Sequence, residues 1–229
     1  MPKLVLFDID GTLIRDGGAS REAYAIALKE TYGYQSDLVR YDFSGKTDPQ
    51  ITWMVLGDAG YDDRAIEKGL PELWRIYLQE LEGRAVTGRV RVLPGIKALL
   101  AALEARTDIT LALLTGNIEP GARLKLAPAE LNRYFKVGAF GSDSIERNAL
   151  APIALERVNR EHGKVFTLAD VVIIGDSIFD VRCGQPHGAR TIAVASGRTP
   201  GDLLQLECPD AFFTSLEDTW AVIDAIVQS

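Results

Sequence analysis

The stretch LVLFDIDGTL, residues 4–13, ends an apolar run in two like charges, Asp8 and Asp10. Carboxylates are rarely buried unless something pairs with them, and burying them unpaired is costly. Strand side chains two apart tend to share a face, so both acids are expected at one edge. There they repel, and one takes up a proton unless a cation lies between them. A hard divalent ion with oxygen ligands, such as Mg²⁺, removes the conflict. Gly11 permits a tight turn after them, and Thr12 can satisfy local backbone groups. A second apolar run ends in acids in VVIIGDSIFDV, residues 171–181, where Gly175 lets the backbone approach closely. Asp176 is placed to complete a metal site with Asp8 and Asp10. Asp180, in the first turn of the next helix, reads either as a partner orienting the ligands or as an acid complementing the helix dipole.

A third strand end carries polar groups of another kind. In LALLTGN, residues 111–117, the Thr115 hydroxyl and the N–H groups of Gly116 and Asn117 suit a phosphoryl group with a helix N-terminus behind them. Asn117 could equally cap that helix, and the two roles are compatible.

These strand ends need a sheet that brings them together. Continuous apolar runs at 4–7, 109–114, 137–140, 171–174 and 191–195, with a shorter one at 211–213, suit strands buried on both faces. Helical patterns at 96–105, 151–163 and 216–228 alternate with them. The pattern predicts an α/β fold, a Rossmann-like parallel sheet with helices on both faces. Open parallel sheets bind ligands outside the carboxyl ends of their strands, where all these residues fall.

Residues 15–88 contain no buried-strand run and read as an inserted α-helical cap domain, leaving 1–14 and 89–229 as the core. Helices are expected over 20–33 with Ser20 as N-cap, over 48–60 with Asp48 as N-cap and Pro49 next, and over 63–83 with a break or kink at Pro71. Residues 83–95 form the return linker. Trp53, Trp74 and Tyr77 lie at helical spacing and read as cap core. His162 and His187 sit beside glycines near helix ends and read as incidental.

Composition excludes several classes. The chain of 229 residues is 47% hydrophobic and 25% charged, with net charge −7. That describes a folded domain rather than a disordered chain. No basic stripe marks a nucleic-acid partner. No apolar run approaches the ~20 residues needed to span a bilayer, and no signal peptide is recognisable. Two cysteines, Cys183 and Cys208, lack metal-type spacing, so a disulfide framework is not expected and a reducing cytoplasm is; a monomer or homodimer is expected separately.

In their order and with the helical insert after the first, the motifs FDIDGTL, LLTGN and GDSIFD resemble those of the haloacid dehalogenase superfamily over nearly the whole chain. Phosphoglycolate-phosphatase-like and phosphomutase-like members are the most similar. The resemblance implies a phosphatase for a small phosphorylated metabolite. Asp8 would be the nucleophile that forms an aspartyl-phosphate, and Asp10 the general acid and then base. Mg²⁺ would be held by the Asp8 carboxylate, the Asp10 carbonyl and the Asp176 carboxylate. Asp10 argues against dehalogenation, since halide needs no proton. The family's third motif usually has a Lys, absent from residues 141–158. Arg147 is the nearest cation, either replacing that Lys or lying on the surface. By the same resemblance Lys46, in FSGKTDPQI at 43–51, faces the site and could contact an anionic substrate, or is a solvated Lys beside a turn. A phosphomutase is the alternative enzyme. A non-catalytic binding protein is a further alternative, disfavoured by the presence of Asp8, Asp10, Thr115 and Asp176.

Overall fold

Continuous apolar runs require burial on both faces, and the chain meets that requirement with one central sheet. The computed structural model describes residues 1–35, 37–163 and 166–228. The chain runs β1 (Lys3–Phe7), β2 (Ile14–Arg15), α1 (Ala19–Tyr32), α2 (Asp48–Asp58), α3 (Asp63–Arg84) and β3 (Arg91–Val92). It continues through α4 (Ile96–Glu104), β4 (Ile109–Leu114), α5 (Glu119–Leu126), β5 (Gly138–Ala139), α6 (Leu150–His162) and β6 (Val171–Gly175). It ends with α7 (Ile178–Gly184), β7 (Arg190–Val194), α8 (Gly201–Leu206), β8 (Ala211–Phe213) and α9 (Thr219–Val227). Six strands form a sheet in the order β5-β4-β1-β6-β7-β8, every pairing parallel. The run at 211–213 is its edge strand.

Alternation divides β1 between two layers. Val5 and Phe7 pack with α4 and α9 through Leu99, Leu103, Val222 and Ile226. Leu4 and Leu6 pack on the other face with Leu150, Ala154 and Val158 of α6. The α/β sheet with helices on both faces is therefore as expected. Among the described residues no helix is long and apolar enough to cross a membrane.

The helices α1, α2 and α3 form a hydrophobic cluster of their own, joined by Ile118 from the sheet side. Tyr77 is buried in it, with Trp53 and Trp74 packed against it, as the helical spacing predicted. Four local expectations are corrected here. The cap of α1 is Gly18, not Ser20, because the Asp16 carboxylate already accepts the N–H groups of Gly18 and Ser20 at 2.9 and 2.8 Å. The cap of α2 is Thr47, whose hydroxyl accepts from Gln50 N, and this leaves the Asp48 side chain free for a longer-range bond. Of the break or kink expected at Pro71, the break is overturned: helix α3 runs through Pro71 as one element. Pro71 and Glu67 are both exposed, so water can take up the carbonyl that the missing N–H leaves. The return segment is also more ordered than a linker: β3 pairs antiparallel with β2, so the two connections to the helical segment lie side by side.

Phe7 is fully buried, meets Phe135 edge-on at 5.9 Å, and immediately precedes Asp8. Phe7→Ala is expected to destabilise the protein by about 3–5 kcal/mol, read as a lowered denaturation midpoint with unchanged slope.

Candidate active site

The sheet order places a topological switch at β1. The chain leaves β1 for β4 and β5 on one side, then returns to β6 on the other. Ligands bind at such points, outside the carboxyl ends of the strands. Phe7 is in register with Leu113 and Ile174, so Asp8 emerges at the level of Leu114 and Gly175. Thr115 and Asp176 follow one residue later on the flanking strands. A cavity of about 480 Å³ opens there, lined by Asp8, Asp10, Thr115, Gly116, Asn117, Arg147, Asp176 and Lys46.

Arg147 is buried and precedes α6 in a short 3₁₀ turn, Arg147–Ala149. Its Nη2 donates to Asp8 Oδ1 at 3.0 Å and also to Asp180 Oδ1. The surface alternative for Arg147 is thus excluded. The other oxygen of Asp180 accepts from Ser177 N at 2.9 Å and Ser177 Oγ at 2.6 Å, closing a capping box on α7. Asp180 therefore caps its helix and contacts the Arg147 guanidinium at once. Asp176 Oδ1 accepts from Thr12 Oγ1 at 3.2 Å.

Oxygens of Asp8, Asp176 and Asp180 lie within 4.8 Å of one another. Burial pushes the Asp8 carboxyl up to about 7, and the Asp180 charge adds to this against the pull of Arg147. Burial, then the charges of Asp8 and Asp180, hold Asp176 well above the usual carboxylate range. Asp8 and Asp180 share the Arg147 guanidinium, and among the described residues no ion pair offsets Asp176. Glycines at 11 and 197 hold the backbone against the Asp176 carboxylate so closely that a Cβ at either would collide with it. A buried oxygen-only donor set, short of positive charge and closely walled, fits a hard divalent cation.

Asp10 is treated differently. Strand β1 ends at Phe7, so period two does not carry through Asp10, and the two carboxylates find different cations. Asp10 Oδ2 accepts from Lys125 Nζ at 2.7 Å and Asn117 Nδ2 at 2.8 Å. Asn117 also donates through Nδ2 to Thr115 Oγ1 at 2.8 Å, and its Oδ1 accepts from Lys125 at 2.5 Å. It does not cap α5, whose N-cap is Ile118. The helical segment meets this loop directly. Asp48 N donates to Gly116 O at 2.7 Å, Ile118 N donates to Asp48 Oδ2 at 2.8 Å, and Thr47 Oγ1 donates to Ile145 O at 2.9 Å. A Cβ at Gly116 would collide with the Lys46 carbonyl, so only glycine allows this approach. Lys46 itself stands 5.0 Å above the Phe179 ring at the cavity wall.

A family model for haloacid dehalogenase-like hydrolases matches residues 2–188. The chain belongs to this family. The haloacid dehalogenase-like chain is 28% identical over 217 residues to a phosphoglycolate phosphatase of Pseudomonas savastanoi pv. phaseolicola, covering 91% of this chain and 75% of that one. Its fold is similar to a hydrolase from Pseudomonas syringae, TM-score 0.75 at 18% identity over the whole of both chains. It is also similar to a Thermotoga maritima structure assigned as a β-phosphoglucomutase, TM-score 0.63 at 22% identity over 98% of this chain and 100% of that one.

Sequence reasoning missed Lys125 and the long-range bond of Asp48. Burial alone would lower the Lys125 ammonium, but the charges of Asp10, Tyr77, Asp16 and Asp48 raise it well above the ordinary lysine value. Burial pushes Asp48 up to about 6, against Lys125 and the Ile118 N–H. A signal for Lys125 was present: with buried Ile118 and Ala122 it completes an i, i+4, i+7 face. His187 Nε2 lies 3.1 Å from the Asn148 carbonyl, and His187 is absent from the cavity lining.

The folded state of this hydrolase binds the Asp8 proton more tightly than the unfolded chain, so between about pH 4 and pH 7 unfolding releases protons. Stability of the protein in a metal chelator is therefore expected to fall as pH rises through that window. Chemical denaturation at the two ends measures the drop, and Asp8→Asn should shrink it. An equal drop in Asp8→Asn would place the titration elsewhere.

Proposed function

We propose that this hydrolase is a Mg²⁺-dependent phosphatase acting on a small phosphorylated metabolite of the phosphoglycolate or sugar-phosphate kind. The meeting of Asp8, Asp10, Thr115, Arg147 and Asp176 around one cavity at the sheet's switch point carries the reading. The carboxylates of Asp8 and Asp176 and the Asp10 carbonyl would hold Mg²⁺, which when bound neutralises phosphate charge so that an anionic nucleophile can approach.

Asp8 attacks phosphorus, and its new O–P bond forms as the ester O–P bond breaks. Asp10 gives a proton to the leaving oxygen. It then takes one from the water that attacks the aspartyl-phosphate, releasing inorganic phosphate and restoring Asp8. Thr115 Oγ1 already accepts from Asn117, so its own proton is available to a phosphoryl oxygen. The Gly116 N–H adds a second donor. Arg147 steadies Asp8 through the Nη2 hydrogen bond to its Oδ1.

Residues 15–88 act in this reading as a cap that closes over the site and limits entry to small molecules. Their separate hydrophobic cluster and the docking of Thr47 and Asp48 on the opposite loops support it. Lys46, Arg21 and Arg198 also line the cavity, a cationic wall suited to a second anionic group such as a carboxylate. A reducing cytoplasm suits the free thiols of Cys183 and Cys208.

Hydrolysis of an aryl phosphate with and without Mg²⁺ is the direct test. Phosphate release should require the metal, need no bisphosphate primer, and fall to background in Asp8→Asn. No release by folded wild-type protein, or near-full rate in Asp8→Asn, contradicts the reading. Because the Asp8 proton must leave, Mg²⁺ binding measured by calorimetry should tighten from about pH 5.5 to about pH 7.5 and release protons.

A further inference from the structure

We infer that Lys125 is a positioning residue for Asp10, holding one carboxylate oxygen so that the other faces the leaving group; this rests on the phosphatase reading above. Lys125 is 3% exposed on α5. Its ammonium donates to Asp10 Oδ2 at 2.7 Å and Asn117 Oδ1 at 2.5 Å, while Asn117 Nδ2 donates to the same Asp10 oxygen at 2.8 Å. Oδ2 is thus gripped from two sides. Oδ1 accepts no hydrogen bond among the described residues, and the Asp10 side chain is 39% exposed on the cavity wall.

The backbone alone does not fix this geometry. Asp10 lies beyond the end of β1, and Gly11 after it turns at φ 89°. Packing does not call for a lysine either. The same helix face carries Ile118 and Ala122, and a Met would fill the space without desolvating a charge. What the ammonium adds is a donor that fixes both Asp10 and the amide of Asn117. With it removed, the Asn117 amide loses the donor to its Oδ1, and Asp10 Oδ2 is held from one side only, by Asn117, so its carboxylate is less firmly oriented. A misplaced acid loses much of the effect of proton transfer, a factor of about 10²–10⁴.

The role predicts a dependence on the leaving group. Phenyl phosphate leaves as a phenoxide that needs a proton, whereas 2,4-dinitrophenyl phosphate leaves as a stable anion. With Mg²⁺-loaded enzyme, kcat/KM reports the step that breaks the ester bond. Lys125→Met is expected to lose at least about tenfold more kcat/KM on phenyl phosphate than on the dinitrophenyl ester. Asp10→Asn should show the same pattern, and on phenyl phosphate the double variant should lose no more than Asp10→Asn alone. Lys125→Gln, which keeps a neutral donor, serves as the second variant if Lys125→Met does not fold, with a smaller differential expected. Equal losses on both esters, or losses that add to those of Asp10→Asn, overturn the positioning role. Wild-type protein inactive on both esters overturns the phosphatase reading and this inference with it.

Discussion

Asp8, Asp176 and Asp180 bring three buried carboxylates to one point, and two of them, Asp8 and Asp180, share the guanidinium of Arg147. Like charges this close cannot all stay ionised without more positive charge, which is why burial and mutual repulsion drive Asp8 and Asp176 upward. Much of the architecture serves to hold that arrangement. The parallel strands deliver Asp8 and Asp176 side by side. The capping box of α7 fixes Asp180, and the turn before α6 carries Arg147 inward. The glycines at 11 and 197 bring backbone against Asp176 where any side chain would intrude. A divalent cation suits a site so built, because it supplies the positive charge that the clustered carboxylates lack.

Asp10 stands apart from this cluster although only Ile9 separates it from Asp8. Lys125 and Asn117 take its carboxylate, so the acids of the site fall into two groups with separate cations. In the proposed phosphatase cycle, that division would give the two halves different environments. An attacking carboxylate needs its charge offset by a cation that also binds phosphate. An acid serving the leaving group needs a fixed orientation and an open oxygen. The docking of Asp48 on the Gly116–Ile118 loop ties the helical segment to the same network, since Asn117 lies between the two residues that it contacts.

Much of this was legible in residue patterns, and the reasons for the rest are physical. The apolar runs identified the strands because parallel strands are buried on both faces. The acids at their ends were conspicuous because nothing in such a run explains a charge. Arg147 was found by its place in the chain, although only the fold shows it reaching Asp8. Local helix signals were less dependable. Ser20 and Asp48 are good capping residues by type, yet Asp16 and Thr47 took those tasks through bonds that side-chain type alone does not decide. Pro71 lies in a helix whose neighbours and solvent tolerate it. Lys125 escaped notice because a single lysine in a short helix usually faces water. Only its alignment with Ile118 and Ala122 betrays it, and its partner Asp10 lies 115 residues away.

The central claim is that the carboxylate at the end of β1 accepts the phosphoryl group. Rapid quenching of a Mg²⁺-activated reaction, followed by borohydride reduction, converts a phosphorylated aspartate to homoserine. Peptide mass analysis then reads which residue has changed. The account predicts homoserine at position 8, with Asp10 and Asp176 unaltered. Conversion at either of those residues, or an unmodified residue 8 under steady turnover, would contradict it.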